Sequence, residues 1–301
     1  MKEYFLGVDG GQSSTLALIG DGEGRVLGRG VSGPCNHVDA LATSINEACE
    51  TAGLENSPEF TSACLGFSGG PHDKEVSTRE IVRALNFTIV DDAFIALTGA
   101  LAGEPGAITI AGTGSIAYAR NRAGKIARAG GWGYLFGDDG GAFDITRHAL
   151  RGALRFEEGW GPPTALHGMF LAACNAKSAN ELMHRFYTAE FSRPAIAGLA
   201  GLVDEAANAG DQEAARILRQ AAEALATLAN AVCLQLFGKE DRPVAYVGGV
   251  FQSRLLLERF TEAAENRVVK PRFGPAAGAL IEAYRAAGRS VSLVDVPPEK
   301  T

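Results

Sequence analysis

An alternation of strand and helix patterns in residues 3–91 constrains the fold more than any other feature of this sequence. Three short segments rich in branched residues come first, at 3–9, 14–20 and 24–30, and glycine-containing turns separate them. Apolar residues then recur at helical spacing over 37–53. A buried strand (TSACLGFSG), a helix (TREIVRALN) and a strand (FTIVDD) follow. The order βββαβαβ therefore predicts a mixed α/β sheet flanked by helices.

A similar run of three strands begins again at residue 107, after a predicted helix at 93–102. The remainder is predicted to be largely helical over 140–237, with one buried strand at 244–249 and helices near 253–265 and 275–287. A chain of 301 residues usually divides into two cores. We therefore predict two related α/β domains, at 1–104 and 105–274, with a helical insertion in the second.

Each predicted domain opens with a strand that runs into a tight turn of glycines and hydroxyl residues, VDGGQSS at 8–14 and IAGTGS at 110–115. Glycine lets backbone N–H groups crowd toward a ligand, and with Ser or Thr hydroxyls they form a cradle for phosphate oxygens. Either turn alone is equally well explained as an ordinary hairpin, but a pair favours anion binding. The predicted phosphate contacts are Gly10, Gly11, Gln12, Ser13 and Ser14 in the first turn, and Gly112, Thr113, Gly114 and Ser115 in the second.

Asp9 lies at the mouth of the first turn, where a carboxylate would repel phosphate unless a cation lay between them. Mg²⁺ keeps several waters and binds through one or two carboxylates together with substrate phosphates, so Asp9 is predicted to hold it through water. The sequence has no GxxxxGK[ST] motif, and neither turn leads into a helix as GxGxxG does, which excludes P-loop and dinucleotide folds.

A third glycine site, Gly248 and Gly249, ends a predicted buried strand in YVGGVFQSR. Two residues without side chains would let a flat group such as adenine pass close to the backbone. A close strand-to-helix packing turn explains the same letters equally well.

Composition excludes several kinds of partner. The net charge is -7 without a basic cluster, which argues against nucleic acid. No apolar run reaches the roughly 20 residues that a membrane helix needs, and the residues before the first predicted strand lack the apolar core of a signal peptide, so we expect neither a membrane helix nor export. Five separated cysteines without a CxxC pair predict buried core thiols in a cytoplasmic protein.

These features resemble the superfamily of sugar kinases, actin and heat-shock-chaperone ATPases, and more narrowly the N-acetylglucosamine and glucosamine kinase branch of the BadF-type activator-ATPase family. The matching stretches are VDGGQSST, SGPCNHV, FSGG, DDAFIAL, IAGTGSIAYA, GGWGYLFGDDGGAFDI, VGGVFQS and GPAAGAL, over residues 8–280. GTGS followed by GGWGxxxGDxG is the specific part. The resemblance implies two ribonuclease H-like (actin-like ATPase) domains with the active site in the cleft between them. It also implies that the last helix, at about 275–290, rejoins the first domain, and that the protein is a homodimer.

The resemblance also implies a catalytic base and a sugar pocket. Phosphoryl transfer needs a carboxylate to take the proton of the attacking hydroxyl, and Asp92 matches the family's base, with Asp91 as helix cap or supporting partner. Helix capping alone would also explain this pair. The implied sugar contacts are Asn36, Ser68, Gly69, Asp92, Gly131, Trp132 and Asp138.

Several residues in and around the implied sugar pocket also fit purely structural roles. Trp132 could instead be a core residue, which is the more frequent position for tryptophan. Asp139 and Asp144 are expected to face solvent or to cap the helix near Gly141.

Gln12 departs from the family's usual first loop, because it places a side chain where relatives have glycine.

The function implied is an ATP- and Mg²⁺-dependent kinase acting on the C6 hydroxyl of an amino sugar, N-acetylglucosamine or glucosamine. One alternative is an ATPase activator of a CoA-ester dehydratase or reductase, but no cysteine lies between residues 65 and 173 to bind the iron–sulfur cluster of such proteins. A second is a non-catalytic sugar-sensing module. The retained Asp92 argues against an inactive enzyme, and we expect no repressor because no DNA-binding extension is seen before residue 3.

Overall fold

The computed structural model describes residues 2–11, 14–35, 38–55, 57–67, 75–188 and 191–298. The chain forms two compact units, the first made of residues 1–106 and 270–301 and the second of 107–269.

The first unit begins with three strands, as the branched segments predict. Its elements in chain order are β1 (Tyr4–Gly10), β2 (Thr15–Asp21), β3 (Val26–Ser32), α1 (Val38–Thr51), β4 (Phe60–Phe67), α2 (Glu75–Ile81), β5 (Ala84–Asp91) and α3 (Asp92–Ala100).

The second unit repeats the three-strand opening and then becomes helical. Its elements are β6 (Gly106–Ala111), β7 (Ser115–Arg120), β8 (Ile126–Gly130), α4 (Ala142–Glu157), α5 (Leu166–Ala173), α6 (Ala179–Phe186), α7 (Arg193–Gly198), α8 (Ala200–Asn208), α9 (Gln212–Phe237), β9 (Val244–Val247), a 3₁₀ turn (Gly249–Gln252), α10 (Arg254–Ala263) and β10 (Val268–Val269). The chain then returns to the first unit with α11 (Pro275–Ala286).

The two sheets have the same strand order. The first is ordered β3-β2-β1-β4-β5 and the second β8-β7-β6-β9-β10. In the first, β1 pairs antiparallel with β2 and parallel with β4, and β6 pairs parallel with β9 in the second. The predicted fold, two related mixed α/β sheets with flanking helices, is confirmed. Parallel strands bring their carboxyl ends to one edge of a sheet, which is where ligands bind in open α/β sheets.

The prediction that helix TREIVRALN continues to Asn86 is wrong. The helix ends at Ile81, and β5 already begins at Ala84. Ala84 pairs with Phe60 and Asn86 with Ser62, and the Asn86 amide donates to Thr61 O at 3.2 Å. Pairing with β4 therefore determines the conformation of a stretch whose letters also fit a helix.

Helix α11 covers one face of the first sheet. Phe5 of β1 stacks on Tyr284 with ring centroids 4.2 Å apart, and Leu18 and Leu280 are fully buried beside them. The Tyr284 hydroxyl donates to Asp21 O at 2.5 Å. The end of the chain thereby contributes to the core that supports β1.

Helix α9 is the main support of the second sheet. Asp211 caps its first turn by accepting from the backbone N–H groups of Glu213 and Ala214, and Leu218, Leu225 and Val232 are buried along one side, as their helical spacing predicts.

All five cysteines are buried thiols outside any disulfide bond, as expected of small core residues. Across the described part of the chain, no helix is both long and apolar enough to cross a membrane.

Candidate active site

Asp9 lies at the carboxyl end of β1, half-buried, opposite Leu16 of β2 and Gly66 of β4. The turn that follows is closed by a hydrogen bond from Gly11 N to Ser14 O at 3.0 Å, and Gly11 O accepts from Cys35 N at 3.0 Å. Main-chain hydrogen bonds thus fix where the first glycine turn leaves the sheet.

Asp91 and Asp92 lie at the same edge of the first sheet. Gly10 pairs with Phe67, and Phe67 pairs with Asp91, so the ends of β1 and β5 are separated by two strand spacings, about 10 Å. Asp91 occupies the cap position of α3, yet it is exposed and its side chain makes no capping hydrogen bond. Asp92 is half-buried, and its Oδ1 accepts from Ala93 N at 2.8 Å.

Five residues predicted for this edge lie outside the described residues. They are Gln12, Ser13, Asn36, Ser68 and Gly69.

The second glycine turn, Gly112–Ser115, joins β6 to β7 and is anchored by α4. Ala142 N donates to Gly112 O at 2.9 Å, and Phe143 N donates to Thr113 O at 3.1 Å. In a trans peptide the C=O and the following N–H point in opposite directions. The amides of Thr113 and Gly114 therefore point away from α4, and within the described chain neither donates to a backbone oxygen. Two adjacent free amides of this kind form an anion-binding concavity.

The hydroxyl residues of this turn differ in exposure. Ser115 is buried, and its Oγ donates to Asp139 O at 2.6 Å. Thr113 is half-buried. A hydroxyl has one hydrogen to donate, and Ser115 uses its hydrogen to hold the neighbouring segment in place. The Thr113 hydroxyl remains at the turn.

That neighbouring segment is residues 131–141, named here the aspartate loop. Gly131 N donates to Ser115 O at 2.9 Å, and Gly131 has φ +71°. Trp132 is 70% exposed, so the alternative that it is a core residue is wrong. The Arg128 guanidinium lies 5.1 Å from the centroid of its ring, which leaves the indole displayed at the surface of the unit.

The aspartates of this region have three different environments. Asp138 is buried, has φ +62°, and its Oδ2 accepts from Arg193 Nη2 at 2.8 Å. Asp139 is exposed. Asp144, in the first turn of α4, is buried, accepts from Gly140 N at 3.0 Å and pairs with Arg147. Asp144 therefore stabilises the start of α4 and does not face solvent.

Gly248 lies at the same edge of the second sheet as the Gly112 turn. Val247 pairs with Ile110, and Gly248, at φ +116°, is packed against the backbone oxygen of Ala111. A Cβ atom added to Gly249 would have no atom within 4 Å. The third glycine site thus leaves open space at the same sheet edge as the Gly112–Ser115 turn.

Whether Mg²⁺ suits the first unit depends on the donors that it offers. Asp9 presents a carboxylate at the strand edge, the oxygen ligand that Mg²⁺ prefers. Among the described residues no group of three or more His, Cys, Asp or Glu could enclose a metal. An ion held by one carboxylate, waters and ligand phosphates fits these donors, whereas an all-protein cage does not.

Comparison with protein families gives one match over most of the chain. The model of the BadF/BadG/BcrA/BcrD ATPase family matches residues 6–283.

Two relatives are similar over most of both chains. An N-acetylmuramic acid/N-acetylglucosamine kinase of Clostridium acetobutylicum is 31% identical over 265 residues, which cover 83% of this chain and 86% of the relative. An N-acetyl-D-glucosamine kinase of Dictyostelium discoideum is 33% identical over 281 residues, covering 85% of this chain and 88% of the relative.

Among solved structures, a putative N-acetylglucosamine kinase from Chromobacterium violaceum is similar with a TM-score of 0.76 and 27% identity, over 93% of this chain and 98% of that one.

Proposed function

The chain belongs to the BadF/BadG/BcrA/BcrD ATPase family, and from this premise we propose that it is an ATP-dependent kinase that phosphorylates the C6 hydroxyl of an amino sugar. N-acetylglucosamine is the proposed substrate, with glucosamine next. The relatives similar over more than four fifths of the chain are named as kinases of such sugars, which supports the substrate class.

The observation that carries the nucleotide part of the proposal is the Gly112–Ser115 turn. Its carbonyls are held by α4, so the amides of Thr113 and Gly114 remain free to bind phosphate oxygens. Gly248 and Gly249 lie at the same sheet edge and would receive the adenosine. In the first unit, the turn from Asp9 to Ser14 is proposed as the other phosphate contact.

Mg²⁺ is proposed to be held by Asp9 through water, and when bound it would neutralise charge on the transferring phosphates. The Asp9 carboxylate then has the role of orienting the ion's water shell from the end of β1.

Asp92 is proposed as the general base. The sugar oxygen forms a bond to the γ-phosphorus, the bond from that phosphorus to the bridging oxygen breaks, and ADP leaves. The hydroxyl proton passes to the Asp92 carboxylate. Asp92 suits this role because it is only half-buried at the carboxyl edge of β5, where a ligand hydroxyl can approach it.

The sugar contacts are proposed to be Asn36, Ser68 and Gly69 of the first unit, and Gly131, Trp132 and Asp138 of the second. Amide and carboxylate oxygens accept hydrogen bonds from ring hydroxyls. Trp132 offers a large exposed apolar face against which a sugar ring or an acetyl group would pack.

The test is an assay of ADP formation with purified protein, ATP and Mg²⁺ against a panel of hexoses and amino sugars. N-acetylglucosamine is expected to give sugar-dependent ADP, whereas its 6-deoxy analogue is expected to give none because it lacks the attacking hydroxyl. Absence of ADP with every sugar contradicts the proposal. Sugar binding without turnover would instead indicate the sugar-sensing alternative.

A further inference from the structure

We infer that Arg193 is a positioning residue for the sugar site and acts through Asp138, an inference that rests on the proposed function. Arg193 is the first residue of α7 and lies 55 positions from Asp138 along the chain. None of the motifs that identify the phosphate or sugar contacts includes it.

The contact itself is a short, charge-assisted hydrogen bond. Arg193 Nη2 donates to Asp138 Oδ2 at 2.8 Å, with the Asp138 side chain 7% exposed and the Arg193 side chain 39% exposed. Such bonds between ionised groups are stronger than neutral ones and fix the direction of a carboxylate. The pair therefore sets which way Asp138 faces.

The two oxygens of Asp138 are in different situations. Oδ2 binds Arg193, and the carboxylate packs against Gly114 of the anion-binding turn. Oδ1 accepts no hydrogen bond from any residue in the described ranges, and it is not a fully enclosed atom. An ionised carboxylate has lone pairs on both oxygens. With Oδ2 fixed, Oδ1 is the oxygen left to accept a hydrogen bond from a ligand hydroxyl.

Asp138 is held in a strained backbone conformation by contacts of both its backbone and its side chain. Its φ of +62° is in the left-handed region, which non-glycine residues occupy at a cost. Its carbonyl accepts from Gly141 N at 3.0 Å, and the bond from Arg193 is the contact that holds its side chain.

Arg193 is itself held in place by an aromatic contact. Its guanidinium lies 5.1 Å from the Tyr134 ring centroid, and Tyr134 makes an edge contact with Phe143 at 5.2 Å. Phe143 N is one of the donors that anchor the Gly112–Ser115 turn. The guanidinium is thus fixed against the same structure that positions the phosphate contacts.

The inference is tested by measuring N-acetylglucosamine affinity and steady-state kinetics for Arg193→Gln. KM and the calorimetric Kd for the sugar are expected to rise about tenfold, since the oriented acceptor is lost, while KM for ATP changes less than about twofold. Arg193→Lys is expected to recover part of the loss, because lysine restores the charge but not the planar guanidinium.

Three further variants separate positioning from folding. If Arg193 acts through Asp138, Asp138→Asn combined with Arg193→Gln should be no worse than Asp138→Asn alone. The matched control is Arg155→Gln. Arg155 also lies over an aromatic ring, that of Trp160 at 5.0 Å, and belongs to no proposed site. The Arg155→Gln variant should bind the sugar with the same affinity as the wild-type protein.

Three results would overturn the inference. They are unchanged sugar affinity in Arg193→Gln, an equal rise in KM for ATP, and additive losses in the double variant. Each of these results presupposes that the wild-type enzyme is active. Each therefore contradicts the role of Arg193 without contradicting the kinase proposal. If the wild-type protein neither binds nor phosphorylates any amino sugar, the proposed function is contradicted, and so is the inference that rests on it.

Discussion

Gly248 packs so closely on Ala111 that no side chain fits between them. A Cβ atom at 248 would collide with the carbonyl of Ala111, and the backbone there has φ +116°. Ala111 is the last residue of β6, and Gly248 directly follows β9. Both lie at the edge where the nucleotide is proposed to bind.

We therefore expect Gly248→Ala to destabilise the protein by about 2 kcal/mol or more, because strain and overpacking act together. Gly249→Ala is the control, since that position is open and has no positive φ, and its effect should stay within about 0.5 kcal/mol. Denaturant unfolding of both variants measures the difference. Equal losses of stability in the two variants would contradict the prediction that the close approach of Gly248 to Ala111 excludes a side chain.

Two glycines of the Gly112–Ser115 turn should also respond differently. A Cβ atom at Gly114 would occupy the position of the Asp138 carboxylate, whereas one at Gly112 would have no atom within 4 Å. Gly114→Ala is expected to cost about 1–3 kcal/mol of stability and to raise KM for the sugar. Gly112→Ala should keep its stability but raise KM for ATP, because the new methyl group lies where phosphate would bind. A stable Gly114→Ala protein with normal kinetics contradicts this prediction.

Asp92→Asn is expected to reduce kcat by about 100-fold or more while leaving nucleotide affinity nearly unchanged, because an amide cannot take the hydroxyl proton. Asp91→Asn is the matched control, since Asp91 is exposed and its side chain makes no capping hydrogen bond. Single-turnover kinetics and titration with a nucleotide analogue measure the two effects. Loss of nucleotide binding together with turnover would assign Asp92 a structural role.

Asp211 should make stability depend on pH in the acid range. Burial raises the pKa of its carboxyl, but hydrogen bonds from Ala214 N, Thr164 Oγ1, Ala165 N and Glu213 N outweigh burial and lower the pKa below its ordinary value of 3.8. A lowered folded-state pKa means that the stabilisation is fully present above pH 3.8 and is lost as the pH falls through the folded value.

Asp211→Asn retains a capping oxygen without the charge. Its stability deficit relative to wild type should therefore be greatest above pH 3.8 and shrink at lower pH. Urea unfolding from pH 7 downward measures this, and a deficit that does not change with pH would contradict it. Asp211→Ala removes the cap altogether and is expected to cost about 1 kcal/mol.

The repeated strand pattern is sufficient to predict the first sheet and four strands of the second, because alternating periodicity and glycine turns are local signals. The two-residue strand β10 is not among the predicted elements. The start of β5 is not predictable in the same way. Leu85 is 72% exposed within a strand, so its face carries no apolar signal, and only pairing with β4 shows that it is extended.

The positions of the candidate residues in the fold are predictable where a motif contains them and not elsewhere. Asp9, Asp92 and the Gly112 turn are found at strand ends, where the motifs place them. Arg193 escapes prediction, because a partner 55 residues away leaves no trace in local spacing. The sequence predicts that Asp144 faces solvent or caps α4. Its pairing with Arg147 follows from the i,i+3 spacing of α4, whereas the hydrogen bond from Gly140 N depends on how the aspartate loop folds.

The hydrogen bonds from Gly131, Ala142 and Phe143 to the Gly112–Ser115 turn have a consequence for redesign. An engineer who grafts residues 131–143, the aspartate loop with the start of α4, from a relative with a different sugar preference would also replace the residues whose N–H groups bind the carbonyls of that turn. Chimeric enzymes should therefore exchange residues 112–115 and 131–143 as one cassette, and single-segment swaps should lose nucleotide use along with the original sugar selectivity.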